Sequence, residues 1–377
     1  MSRRAPSLVY WGSIPSPYMV ERFNAVADRA AVDFEAWFDR RRNPDRSWSV
    51  DEDAWRFRAR YLPQGRLPGS YHVAPLFALA RHRPDVIVMR YAELRHVLGW
   101  QMARACGTQT GFRVLAPSPI WHPRRPWREA LKRHMFSRVD AAFVAGNDAA
   151  AYARSLGTPA ERVFHEPQAI DVEHYSKAKH DVAMRARTRD RYELHGITFI
   201  YVGRLWWGKG VDHLVRAFHS AQQATTVPIH LLLVGDGELE PELRRLVHEL
   251  GTRNVVFAGF QQPAHLPDFY AAADVFVFPT LGDPYGLVVD EALAAGLPVV
   301  STTAAGEITT RVRDGENGFL VEPKNEQSLA RRIVQLTEDA ELRQRMSARI
   351  EHSRSGIGPE AWAKAMERAV FHLSRMP

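Results

Sequence analysis

The sequence predicts an α/β protein built as two doubly wound, parallel-sheet domains. Three observations carry that expectation. Short apolar runs alternate with amphipathic stretches in βαβα order. The series occurs twice, on either side of a charged segment at 170–195 that is poor in branched apolar residues. At 377 residues the chain is long enough for two cores of ordinary size.

In the first half, Leu8–Trp11 reads as a strand stopped by Gly12, Pro15 and Pro17. Met19–Arg29 has helical spacing, and Val32–Trp37 is a second strand. Arg40–Gln64 is polar, aromatic and without a period, so a long loop is expected there. Pro75–Arg83 reads as a helix, Val86–Met89 as a buried strand and Leu94–Cys106 as a helix. Gly111–Leu115 is a strand, Trp127–Phe136 a helix and Ala141–Ala145 a strand. In the second half, strands are expected at Phe199–Val202, Ile229–Val234, Val255–Ala258, Val275–Phe278, Pro298–Ser301 and Gly318–Val321. Helices fall between them at Val211–Ala221, Pro241–Leu250, His265–Ala273, Gly286–Ala295 and, after the last strand, Glu326–Glu338. A final helix, Pro359–Leu373, follows Gly356 and Gly358. The expected domains are 1–180 and 190–356.

Composition narrows the function. Apolar content of 45% and charged content of 25% are those of a soluble globular protein. No apolar run approaches the roughly 18–20 residues of a membrane helix, and Leu8–Trp11 is too short for a signal-peptide core. Cys106 is the single cysteine, which excludes an internal disulfide and a thiolate cluster and fits a reducing cytoplasm. Net charge is +7, mostly scattered Arg, and the pI is about 9.6. No helix-turn-helix, RNP or zinc-finger pattern accompanies the charge, so no nucleic-acid partner is expected.

Ligand sites of doubly wound sheets lie just past strand ends. Four loops there carry polar chemistry. The first, Gly203–Gly210, holds Arg204 and Lys209, a planar fork and a point charge able to converge on one diphosphate; a basic surface loop is the alternative. The second, Gly235-Asp236-Gly237-Glu238, partly imitates G-x-G-x-x-G, with Gly235 letting backbone approach a nucleotide or simply turning the chain. In the third, Gly259-Phe260-Gln261-Gln262, backbone groups and Phe260 could meet a base, or Phe260 could pack in the core. Gly12 stands in the same relation to the first strand, as a phosphate approach or a plain turn.

The fourth loop is the most informative. Asp283 and Glu291 are two carboxylates eight positions apart, around a Pro-Tyr-Gly turn that opens a helix. Amides at the helix start and the positive end of its dipole favour a phosphate. Glu291, one turn in, can accept two hydrogen bonds from a ribose diol, and Asp283 can accept from sugar hydroxyls. The alternative is that Asp283 caps the helix and Glu291 is a solvated acid. The apolar Ala-Leu-Ala-Ala surface after Glu291 argues for burial, and a buried Glu needs partners.

This series resembles the retaining family-4 glycosyltransferases, the group 1 glycosyl transferases, of GT-B fold. The likeness is strongest from 197 to 340: Gly-Arg-Leu…Lys-Gly, Val-Gly-Asp-Gly, Phe-Ala-Gly-Phe, Asp-Pro-Tyr-Gly-Leu-Val-Val-Asp-Glu-Ala-Leu-Ala-Ala-Gly-Leu-Pro, and Asp-Gly-Glu-Asn-Gly-Phe-Leu-Val at 314–321. The resemblance implies two Rossmann-like domains facing across a cleft, with the C-terminal stretch 357–377 returning to the first. It implies that Arg204 and Lys209 hold the donor diphosphate and that Glu291 binds ribose. The amides of Gly286, Leu287 and Val288 would face phosphate and sugar. Asp283 stands where the family usually has Glu, one methylene shorter. A second departure puts Thr310 at a usual Glu position, so no role is carried onto Glu307. The family's catalytic-cleft His follows a strand of the first domain, and His122, after Leu115-Ala116-Pro117, is the best candidate for it; the alternatives are a loop His beside Pro123, and Trp121 as the more important group, stacking on a sugar.

The expected function is therefore a retaining transfer of a hexose from a nucleoside-diphosphate sugar, uridine favoured over guanosine, to a hydroxyl of a small-molecule, glycan or lipid acceptor. No cofactor or metal is expected. Asp51-Glu52-Asp53 has the D-x-D form but no strand before it. The competing expectations are a sugar-nucleotide epimerase on the same fold and a non-catalytic nucleotide-sugar or membrane-binding protein. Residues 124–138 are basic and amphipathic, with Arg124, Arg128 and Arg133 around Trp127 and Phe136. They suit an anionic acceptor or a peripheral contact with anionic lipid, or are a solvated face. Trp48, Trp55 and Phe57 make 40–64 a candidate acceptor lid.

Overall fold

Two parallel sheets carry the chain. The computed structural model describes residues 4–42, 48–63, 70–91, 93–115, 126–351 and 358–375. The first sheet holds β1 (Ser7–Gly12), β2 (Asp33–Phe38), β3 (Arg58–Tyr61), β4 (Val86–Met89), β5 (Gln109–Val114), β6 (Ala141–Val144) and β7 (Val163–His165). Its order is β3-β2-β1-β4-β5-β6-β7, with Trp11 level with Trp37 on one side and Met89 on the other. The central strands are apolar throughout because helices cover both faces. On one face α1 (Pro17–Arg29) packs Phe23 and Val26 against Leu8, Tyr10 and Val88. On the other lie α2 (Ser70–His82), α3 (Leu94–Ala105), α4 (Pro126–Phe136) and α5 (Asn147–Ser155), which bury Leu79, Trp100, Phe136 and Ala153 against Val9, Trp11 and Met89.

The second unit opens with α6 (Val172–His180) and α7 (Val182–Arg191). Then come β8 (Ile197–Val202), α8 (Val211–Ala224), β9 (Ile229–Val234), α9 (Glu240–Leu250), β10 (Val255–Gly259), α10 (Leu266–Ala272) and β11 (Val275–Phe278). They are followed by α11 (Leu287–Ala294), β12 (Val299–Thr302), α12 (Ile308–Arg311), β13 (Gly318–Val321), α13 (Glu326–Glu338) and α14 (Ala340–Glu351). The strand order is β10-β9-β8-β11-β12-β13, all parallel. Sequence order reverses between β8 and β11, which sit side by side with Phe199 level with Val275.

The last helix, α15 (Pro359–Leu373), belongs to the first unit and packs along α1. Trp362, Met366, Val370 and Leu373 are buried in the same core as Phe23, and Arg29 grips Glu367 with two hydrogen bonds of 2.6 and 2.8 Å. Under this helix lies a buried polar knot. The Glu166 carboxylate accepts from Trp362 Nε1 at 2.9 Å and Tyr10 Oη at 3.2 Å. Arg113 Nε stands 3.5 Å away and Arg22 Nη1 3.9 Å. Two arginines thus share one buried acid, and burial together with Arg113 holds the Arg22 guanidinium below its usual pKa.

The sequence expectation left α5, β7, α12 and α14 unassigned, and it misread two stretches. The charged segment 170–195 is helical, as α6 and α7, each started by an Asp side chain: Asp171 accepts from His174 N, Asp181 from Met184 N. Its polarity hides tertiary packing, because Arg185 donates to the carbonyls of Ala271 and Ala273 at the end of α10. Both helices therefore join the second unit, and the units divide between Ile170 and Asp171. The expected loop 40–64 contains β3, which pairs with β2 at the sheet edge. Its arginines look loop-like because an edge strand faces water, where charge blocks further pairing; Arg60 pairs with Glu35. Trp55 stacks on Phe57 at 5.1 Å, and Phe57 is buried among Phe23 and Phe34. These two rings are core, which removes them from an acceptor lid.

Candidate functional site

In a doubly wound sheet the two loops leaving the reversal point diverge and open a crevice. Here they are the loops after β8 and β11, residues 203–210 and 279–286. They are stitched together: Gly208 O accepts from Leu281 N at 2.9 Å and Thr280 Oγ1 at 3.2 Å. That brings the Lys209 ammonium into an ion pair with the Asp283 carboxylate. The two side chains are 16% and 13% exposed, so the pair is largely shielded from water. Asp283 also accepts from Tyr285 N at 2.8 Å, which shapes the turn into α11. Burial pushes its carboxyl up, but Lys209, the Tyr285 amide and Arg311 together hold it below the usual carboxylate range.

α11 starts at Gly286, whose φ of 76° is a left-handed conformation that favours Gly; a Cβ there would also meet the Phe278 ring at 2.7 Å. The first amides of the helix, including Leu287 and Val288, have no acceptor within the helix and sit at its positive end. One turn in, Glu291 is fully buried and accepts from the equally buried Tyr270 hydroxyl at 2.7 Å. A solvated Glu291 is therefore excluded. A buried carboxyl needs such a partner, since burying a polar group without one is costly.

Arg204 lies on the same loop as Lys209 but is paired elsewhere, with Glu238 at 3.0 Å, and both side chains are about half exposed. The two cations expected to converge are thus each held by a different acid. Gly235 follows β9 with φ 137°, and a Cβ there would fall 1.9 Å from Gly203 O. This glycine is required by the contact between the loops after β8 and β9. Phe260, after β10, is half-buried.

In the first unit, Gly12 ends β1, is buried, and accepts from Asp39 N at 3.1 Å. His122, Trp121 and Arg124 lie outside the described residues. Asp51 caps its own short turn by accepting from Asp53 N, while Glu52 bonds Tyr61 Oη at 2.8 Å. That accounts for the D-x-D pattern by local structure. Among the described residues no group of three His, Cys, Asp or Glu could hold a metal ion.

One residue of this site gave no sequence signal. Arg311, at the end of α12, extends to the turn before α11: Nη1 donates to Gly286 O at 3.0 Å, and Nη2 to Gly306 O at 3.0 Å and to Tyr285 O. Its guanidinium also covers the Tyr285 ring at 4.1 Å and pairs with buried Asp290 at 3.3 Å. The separation from Gly286 is twenty-five positions, too far for any local pattern to reveal.

Residues 188–353 match the family described as "Glycosyl transferases group 1". A D-inositol 3-phosphate glycosyltransferase of Acidothermus cellulolyticus is 40% identical over 147 residues, 37% of this chain and 33% of that protein. A GDP-mannose-dependent alpha-(1-6)-phosphatidylinositol monomannoside mannosyltransferase of Mycobacterium tuberculosis is 31% identical over 230 residues, 59% of this chain and 58% of that protein. The chain thus spans from a third to somewhat over half the length of these relatives. The crystal structure of Anabaena HepE in complex with UDP and glucose superposes on 98% of this chain and 100% of its own, with a TM-score of 0.80 and 19% identity. The fold is accordingly GT-B, with two Rossmann-like units.

Proposed function

We propose that this chain, whose residues 188–353 are a group 1 glycosyl transferase segment, moves a hexose from a nucleoside-diphosphate sugar to an acceptor hydroxyl. The observation that carries the reading is the Lys209–Asp283 pair set beside the amide-bearing start of α11, at the reversal point of the sheet. Lys209 and the α11 amides would take the diphosphate, with Arg204 released from Glu238 to join them. Glu291, held by Tyr270, would accept from the ribose diol. Asp283 would accept from a hydroxyl of the transferred sugar. His122 is proposed as the catalytic-cleft residue from the family resemblance, Trp121 and Arg124 for the acceptor side, and Gly12 and Phe260 for the nucleotide.

The reaction is proposed to retain configuration and to need no metal. The acceptor oxygen attacks the anomeric carbon on the face that the diphosphate leaves, and the departing phosphate oxygen takes the acceptor proton. The protein's work is then positioning and stabilising negative charge on the leaving group. The HepE structure contains UDP, and the mycobacterial relative is named for GDP-mannose, so both bases belong in the test. Calorimetry with UDP and GDP, followed by transfer assays on a panel of UDP- and GDP-sugars, should show binding of one nucleotide and turnover of its sugar. Binding without transfer or hydrolysis would favour a non-catalytic protein. Interconversion of the nucleotide sugar would favour an epimerase.

We also propose a peripheral contact with anionic bilayers on the cytoplasmic side, through α4. No helix among the described residues is long and apolar enough to cross a membrane. On α4, Trp127 and Leu131 are 58% and 38% exposed at i, i+4 spacing. Arg128 covers the Trp127 ring at 5.2 Å, Arg133 is exposed, and Lys132 is tied to Glu129. An apolar pair flanked by exposed arginines suits an interface of acyl chains and anionic headgroups. The chain should float with phosphatidylglycerol vesicles, and Trp127→Ser should abolish flotation; no flotation of wild type sinks the contact.

A further inference from the structure

We infer that Arg311 is a positioning residue for the donor, acting on the turn between Asp283 and α11 rather than touching the sugar nucleotide. The inference rests on the transferase reading above and adds to it the residue that holds its central loop.

Three observations support it. First, the contact is many-sided. The guanidinium donates to the carbonyls of Tyr285, Gly286, Gly306 and Glu307 and to the Asp290 carboxylate. Those carbonyls come from both sides of the site, since Gly306 N in turn donates to Asp283 O at 2.8 Å. Arg311 therefore ties the α11 start to the segment that pairs with Asp283. Its own carbonyl is fixed by Asn317 Nδ2 at 2.8 Å.

Second, the charge has the wrong sign for helix stability. A cation at a helix N-terminus opposes the dipole, which favours acids there. Asp290 in the first turn offsets part of this; burial keeps its carboxyl above the usual range, although Arg311 pulls it down. Each cation of this loop is matched by an acid, Arg311 by Asp290 and Lys209 by Asp283. The field of Arg311 reaches Asp283, whose ionised form it favours.

Third, the chemistry needs the fork. A planar guanidinium satisfies carbonyls in several directions at once, and a lysine ammonium in the same place could not reproduce that geometry. Arg311 also follows Thr310, the position at which the family resemblance places a Glu. This chain thus departs from the family pattern at the point where Arg311 enters the site.

Arg311→Met and Arg311→Lys in the full chain test the inference. In unliganded protein, Arg311→Met should speed exchange of the hydrogen-bonded amides of Tyr285, Val289 and Gly306 and leave β8, β9 and β11 at wild-type rates. Donor kcat/KM should fall about 10²-fold, the scale of a small misplacement of reacting groups. Arg311→Lys should recover most nucleotide affinity, because charge is retained, but not kcat, because the turn is no longer held. Equal loss of affinity and kcat in both variants, with exchange faster throughout the unit, would show a merely structural arginine and overturn the inference. If wild type neither binds nucleotide nor transfers sugar, the transferase reading fails. Exchange at Tyr285, Val289 and Gly306 then still decides the positioning role: local acceleration in Arg311→Met upholds it, and wild-type exchange overturns it.

Discussion

Lys209→Ala should lower turnover by ~10²–10³, the range for removing one preorganised charge donor from a developing anion. The residue has a second effect through its partner. Asp283 is kept ionised chiefly by Lys209 against the push of burial. With the ammonium gone, burial dominates and its pKa rises above the unfolded value. The unfolded state then holds its proton less tightly than the folded state, so the variant's stability deficit is full at neutral pH and shrinks as the pH falls and Asp283 protonates. In wild type the sign is opposite: the depressed pKa contributes stability above the ordinary carboxylate range, and it is lost as pH falls through the lowered value. Thermal unfolding of both proteins across pH 4–8 checks this, and steady-state assays below the variant's melting temperature check the turnover. Full activity in Lys209→Ala would remove Lys209 from the donor site.

Glu166→Gln should destabilise the first unit by about 3–5 kcal/mol, the usual result of removing one partner from a buried ion cluster. The amide keeps an acceptor for Trp362 and Tyr10, so packing of α15 changes little and the loss is electrostatic. Arg22 and Arg113, now sharing Glu166, would face each other without an intervening anion. Urea unfolding followed by tryptophan fluorescence reads the change, since Trp362 bonds the altered side chain. Arg22→Met in the same background should recover part of the loss, because one of the two stranded charges is then absent. A loss below 1 kcal/mol in Glu166→Gln would mean that the arginines are satisfied by water instead.

Motifs at strand ends were legible because their chemistry is local. Gly-Arg…Lys-Gly, the Asp283–Glu291 spacing and the Pro-Tyr-Gly turn each state a backbone shape and a charge within a few residues. The burial of Glu291 was likewise readable from the Ala-Leu-Ala-Ala surface beside it, though its donor, Tyr270, was not. The charged segment 170–195 and the strand in 40–64 were misread for one reason: polarity was taken for solvent contact. Arg185 instead satisfies the end of α10, and Arg60 satisfies Glu35 across an edge pair.

By itself the sequence determined the two doubly wound units, most of their strands and the loops that carry the chemistry. Apolar periodicity and turn residues act over spans of ten residues or fewer, and the chain cannot hide them. The tertiary structure alone decided which charges meet. Lys209 finds Asp283 across seventy-four positions, Arg204 turns to Glu238, and Arg311 joins two loops around Gly286. A hydrogen bond or ion pair depends on a few ångströms of distance, and for residues so far apart in the chain only the packed sheet sets that distance.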